Sequence, residues 1–137
     1  MINEGYQASQ QNMIKRFHSV LFYSANLGKT ARFYEELGFS IEKSDDTVKV
    51  KLGDFTLAFI DENKALIKKE VHAEHKGLGI FIYVEVENVD VYFQSLKEKG
   101  VSTSSEPHDW PWGKREFVVK DPDGYKLVFF TPTQTNK

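Results

Sequence analysis

Hydrophobic residues follow two rhythms along this chain, and the same succession of rhythms runs twice. Between Asn26 and Phe39, apolar positions fall at Leu27, Ala31, Tyr34 and Leu37, the spacing of one helix face. Between Asn88 and Val101 they fall at Val89, Tyr92, Phe93 and Leu96. Each segment opens with an asparagine able to accept free backbone N–H groups and closes at a glycine (Gly38, Gly100) able to take the left-handed terminating conformation. An alternating strand-like run precedes each helix, at residues 17–23 and 79–86. Three short strands follow each: 40–43, 47–52 and 55–61 in the first half, 102–107, 114–120 and 125–131 in the second. Gly53-Asp54 turns the last pair in the first half, and Asp121-Pro122-Asp123-Gly124 does so in the second. The predicted order is therefore βαβββ, twice.

A strand has two faces, and one of them must meet its helix. Alternation sends Val20, Phe22, Leu57, Phe59, Ile82, Val84, Phe117, Val119, Leu127 and Phe129 to the helix side. The opposite side receives Ser19, Leu21, Tyr23, Thr56, Ala58, Ile60, Phe81, Tyr83, Glu85, Glu116, Val118, Lys126, Val128 and Phe130. The expected fold class is α+β: two tandem βαβββ modules forming a curved mixed sheet around a concave cup, with helices on the outer face. Residues 1–15 read as a flexible polar tail and 16–135 as one domain. Its modules span about 16–61 and 79–132, joined by a charged linker at 62–78.

Composition narrows the function. With 137 residues the chain fits one domain, and with no cysteine it excludes disulfides and thiolate chemistry, which points to a reducing cytoplasm. A net charge of −2 with mixed signs offers no basic patch for nucleic acid. No apolar run suits a membrane span, and the N-terminus lacks a signal-peptide core. Eleven Phe, six Tyr and two Trp exceed what a core of this size requires and suit a binding cavity.

The candidate chemistry gathers in Trp110-Pro111-Trp112-Gly113-Lys114-Arg115-Glu116, read as a loop with two indoles leading into a strand. Trp110 and Trp112 are candidates to stack on a planar or cationic ligand, and Phe81, Tyr83, Tyr23 and Phe130 to line the cavity. Glu116 would give charge selectivity, with Glu85 a weaker candidate that Lys126 or Arg115 could neutralise. His108 beside Trp110 could rim the pocket, an isolated surface histidine being the commoner case. His72-Ala73-Glu74-His75 sits in the charged linker and reads as solvated loop. Asp121 and Asp123 read as structural turn residues. No serine has a histidine and acid partner in the pattern, so nucleophilic catalysis has no support.

Paired βαβββ modules with Pro111-Trp112-Gly113, Arg115-Glu116-Phe117 and Asp121-Pro122-Asp123-Gly124 resemble the vicinal oxygen chelate superfamily of glyoxalase I, extradiol dioxygenases, fosfomycin-resistance transferases and bleomycin-resistance proteins. The likeness runs from about residue 17 to 131 and is strongest toward the bleomycin-resistance branch. Metal-using members carry His, Glu or Gln at four cup-facing positions, which in this chain are Ser19, Ala58, Phe81 and Val128. That is no ligand set for a divalent ion, and His18, even if a bulge turned it inward, adds a single imidazole. The resemblance thus implies a metal-independent small-molecule-binding protein, with no cofactor and no catalytic residue, sequestering an aromatic or cationic compound such as an antibiotic or toxic metabolite. It also implies a homodimer with cups completed across subunits. Two other readings stay open: a metal-dependent lyase, isomerase or dioxygenase using His18 and Glu116, and a non-catalytic protein-interaction module.

Overall fold

A computed structural model describes Met13 and residues 15–64 and 76–133. The rest of the tail, the linker from 65 to 75 with His72 and His75, and residues 134–137 lie outside the described residues. The first half contains β1 (Ser19–Ser24), α1 (Leu27–Leu37), β2 (Ser40–Lys43), β3 (Thr47–Leu52) and β4 (Phe55–Asp61), ending in a 3₁₀ turn at Glu62–Lys64. The second contains β5 (Phe81–Glu85), α2 (Val89–Glu98), β6 (His108–Trp110), β7 (Lys114–Lys120) and β8 (Lys126–Pro132). Each half forms a four-stranded sheet, ordered β1-β4-β3-β2 and β5-β8-β7-β6. The first and last strands of each half run parallel and the other pairs antiparallel.

The helices start and stop where the caps dictate. Asn26 accepts from the Lys29 N–H, and Asn88 from the Asp90 and Val91 N–H groups. Gly38, at φ 103°, ends α1, and Gly100, at φ 82°, follows α2. Ala31, Tyr34 and Leu37 of α1 are buried, as are Val89, Phe93 and Leu96 of α2.

β8 lies one residue later than expected, at Lys126–Pro132, and three strands differ more. β1 begins at Ser19, not Phe17, because β4 supplies partners only from Thr56 onward; Phe17 stands ahead of the ladder and is 90 % exposed. β5 is shortened to Phe81–Glu85, since its parallel partner β8 starts at Lys126. The expected strand at 102–107 is absent, and β6 lies at His108–Trp110. Pro111–Gly113 makes a tight turn in which the Gly113 N–H donates to the Trp110 carbonyl at 3.2 Å. A tight turn pairs the residues that flank it, so His108–Trp110 joins β7. The serine-rich stretch before it holds on by single bonds, Ser104 N–H to the Val118 carbonyl and Val118 N–H to the Ser105 hydroxyl.

The core joins both halves. Phe22, Tyr34, Val48, Val50 and Phe59 pack in one cluster with Phe93, Leu96, Phe117, Leu127 and Phe129. Phe39 reaches Phe129, and Phe22 meets Tyr125 edge-on at 4.7 Å. An apolar gap of about 240 Å³ lies between Phe39, Val50 and Leu57 of the first half and Ile82 and Val84 of the second. The helix-bearing faces of the two sheets therefore meet one another, and the uncovered faces point away. Val20, assigned to the helix side, is 39 % exposed because it sits at the N-terminal end of an edge strand, beyond the cover of α1.

Polar groups tie the junction. The Tyr34 hydroxyl donates to Asp121 Oδ2 at 2.9 Å, while Asp121 Oδ1 accepts from the Asp123 and Tyr125 N–H groups. The Tyr125 hydroxyl donates to the Tyr23 carbonyl, and the Tyr92 hydroxyl to the Leu37 carbonyl at the end of α1. Burial pushes the Asp121 carboxyl up to about 6, against the hydrogen bonds from Tyr125, Tyr34 and Asp123 that pull it down. Lys76, its side chain almost wholly buried, pairs with Glu62 at 2.6 Å and Asp123 at 2.7 Å and fixes the end of the linker. Gly77 follows at φ 85°; a Cβ there would stand 2.5 Å from the Gly124 carbonyl oxygen, so only glycine fits.

Candidate ligand pocket

The uncovered face of the second sheet holds a pocket of about 320 Å³, lined by Phe81, Tyr83, Ser105, Trp110, Trp112, Glu116, Val118 and Val128. Register explains the gathering. Tyr83 stands opposite Val128 on β8, Val128 opposite Val118 on β7, and Glu116 opposite His108 on β6, so side chains of one parity share the face.

The Pro111–Gly113 turn aims both indoles. Gly113 takes φ 87°, and its carbonyl accepts from the Thr133 N–H at 3.0 Å, which pins the turn to the end of β8. Trp110 and Trp112 then stack with centroids 4.9 Å apart and planes at 4°. His108 abuts Trp110 edge-on at 4.4 Å, making a row of three rings. Half of each indole stays open: Trp110 is 41 % and Trp112 54 % exposed.

Glu116 is the one buried acid of the pocket, 7 % exposed. Its Oε1 accepts from Trp112 Nε1 at 3.2 Å, and its Oε2 receives a long contact of 3.5 Å from the Tyr83 hydroxyl. Desolvation, with the Glu116 charge added, raises the Tyr83 hydroxyl above its ordinary value. Among the described residues, neither Glu116 nor Glu85 forms an ion pair. Arg115, its side chain on the other face by alternation, goes to Asp90 and Asp109. Lys126 lies 5.2 Å over the Phe81 ring and donates to the Gly77 carbonyl. Lys114 lies 5.3 Å over Phe130 and 5.8 Å over Tyr83. The arrangement can hold a flat molecule against π-faces and offer it a carboxylate already stripped of most of its water.

Five of the seven residues singled out in the sequence line this pocket: Trp110, Trp112, Glu116, Phe81 and Tyr83. Phe130 stands beside it, packed against Tyr83 at 5.8 Å. Tyr23 is half-buried on β1 in the other sheet, outside this lining. Lys114 and Ser105 were missed. Lys114 was legible, since it lies two residues before Glu116 and so on the same face; Ser105 belongs to a stretch mistaken for a strand. Ser19, Ala58, Phe81 and Val128 supply one hydroxyl among four positions, which does not fit a divalent ion. Among the described residues, no group of three or more His, Asp or Glu is placed to hold a metal ion. His18 is exposed, 3.1 Å from the Ser19 hydroxyl. No described helix is long and apolar enough to cross a membrane.

Residues 16–129 match the family model described as Glyoxalase/Bleomycin resistance protein/Dioxygenase superfamily. The chain is 35 % identical over 109 residues to the uncharacterised protein YraH of Bacillus subtilis (strain 168), covering 77 % of this chain and 80 % of that protein. Among solved structures, a glyoxalase/bleomycin resistance protein/dioxygenase from Nocardioides superposes with a TM-score of 0.73 at 18 % identity, covering 97 % of this chain and 96 % of that one. The bleomycin resistance determinant encoded on the transposon Tn5 gives 0.64 at 21 % identity, covering 86 % and 98 %. At these identities the structural likeness establishes the fold alone.

Proposed function

Since the chain belongs to the Glyoxalase/Bleomycin resistance protein/Dioxygenase superfamily, we propose that it is a metal-independent member that binds and sequesters a flat, cationic aromatic compound, such as an antibiotic or a toxic metabolite. The observation that carries this reading is a buried carboxylate without an ion-pair partner among the described residues, Glu116, hydrogen-bonded to one member of a stacked indole pair. A cationic ligand would supply the missing charge and lay its ring against Trp110 or Trp112. A metal-using reaction finds no donor set at Ser19, Ala58, Phe81 and Val128.

Isothermal titration with bleomycin and the planar cation proflavine tests the proposal. Trp110→Ala should weaken proflavine binding about tenfold, the loss of one stacking and cation–π contact of roughly 1.5 kcal/mol. Failure of both probes to bind, or a Trp110→Ala variant equal to the parent, would sink it. So would stoichiometric Zn, Ni, Mn or Fe in protein purified without chelator.

The pocket works in a homodimer. Every residue lining it comes from the second half, and the uncovered faces of both halves carry exposed apolar residues, among them Leu21 (60 %) and Phe81 (57 %). The first-half face of one copy would roof the second-half pocket of the other and remove these residues from water. Leu21→Glu, which puts a charge into that contact, is expected to sediment as a monomer where the parent sediments as a dimer. A monomeric parent would refute the arrangement.

A further inference from the structure

Lys114 stands at the edge of the pocket, over the lining Tyr83 and the neighbouring Phe130, and a purely cationic ligand leaves it unexplained. Its side chain crosses the same face as Glu116, two residues away on β7, and its ammonium is held over the Tyr83 and Phe130 rings. Tyr83 is also the residue that reaches Glu116 Oε2, so one phenol ring stands between a lysine and a buried carboxylate. Yet the two do not form an ion pair, and Lys114 has no acidic partner among the described residues. Other cations near this face are engaged: Lys126 donates to the Gly77 carbonyl at the far end of β8, and Arg115 is clamped by Asp90 and Asp109. A bare cation entering beside Lys114 would meet like charge. A ligand bearing both an acid and a cationic group would meet opposite charge at both points.

We propose that the preferred occupant is amphoteric: a flat aromatic body carrying a cationic or N–H-donating group for Glu116 and a carboxylate or comparable anion for Lys114. This rests on the reading of the pocket as an aromatic, cation-accepting site and adds to it the anion and the residue that selects it. The indoles hold the ring, Glu116 takes the donor and Lys114 the acid. Charge-assisted hydrogen bonds at both ends then distinguish the ligand from its singly charged analogues.

The test is calorimetric titration of the full chain with three matched probes: tryptophan, tryptamine (the same ring without the acid) and indole-3-propionate (the same ring without the amine). Tryptophan should bind about tenfold more tightly than either analogue, the worth of one additional charge-assisted contact. Lys114→Met keeps the aliphatic stem over the rings. It should bring tryptophan down to the level of tryptamine while leaving tryptamine undiminished, and Lys114→Arg should restore the preference. A merely structural role for Lys114 would weaken both probes alike in Lys114→Met. That result, or tryptophan binding no better than tryptamine in the parent, would overturn the inference while tryptamine and proflavine binding kept the cationic-aromatic reading intact. Absence of binding by all three probes and by proflavine would overturn both. An intact thermal transition for each variant separates loss of selectivity from loss of fold.

Discussion

Asp121→Ala lowers the unfolding free energy by about 3 kcal/mol, the cost of stranding several buried donors at once. Three hydrogen bonds converge on this carboxylate: the Asp123 and Tyr125 N–H groups on one oxygen and the Tyr34 hydroxyl on the other. Tyr34 is wholly buried, so its hydroxyl has no water to turn to. Urea or thermal unfolding reads the effect, and a loss below about 1 kcal/mol, the net worth of a single ordinary bond, would refute the account. Asp121→Asn keeps an acceptor oxygen for the turn and should lose less. It also removes a titration whose sign is fixed. The folded carboxyl sits at about 6, above its ordinary 3.8, so the folded chain takes up the proton first. The parent must therefore gain stability relative to Asp121→Asn as pH falls from about 7 through 6 toward 4, and lose it again as pH rises through 6. A difference between the two proteins that stays flat across this window, or runs the other way, would contradict the burial argument.

Glu116→Gln lowers proflavine affinity roughly thirtyfold, about 2 kcal/mol, because a neutral amide replaces a charged acceptor. Gln can still accept from Trp112 Nε1, so the indole stack is kept and the change reports the charge. The parent and the variant should bind an uncharged planar ring such as acridine at high pH with similar affinity. Equal proflavine affinities in calorimetry would mean that Glu116 serves to position Trp112 rather than to receive the ligand's charge.

Much of this was legible in the chain. Asn26 with Gly38, and Asn88 with Gly100, bracket the helices because capping depends on residues three or four apart. Alternation on β5 and β7 put Phe81, Tyr83 and Glu116 on one face because side-chain direction is a local property of each strand. What failed was non-local. Alternation says which residues share a face but not what that face packs against, so neither the meeting of the two helix-bearing faces nor the separation of Tyr23 from the indoles within one chain was visible. Asp121 reads as a turn residue from its neighbours, whereas its partner Tyr34 lies 87 positions away. His108–Trp110 was read as loop because its strand pairing depends on how tightly Pro111–Gly113 turns, a property that the residues on either side do not announce.

The stacked Trp110–Trp112 pair has a consequence beyond binding. These are the only two tryptophans in the chain, and both stand in the pocket wall. All indole emission from the protein therefore arises within a few ångströms of whatever enters, and two parallel indoles this close couple optically. The molecule carries a spectroscopic reporter in its own wall, so the brightness and near-ultraviolet dichroism of the unlabelled chain register an occupant before its identity is known.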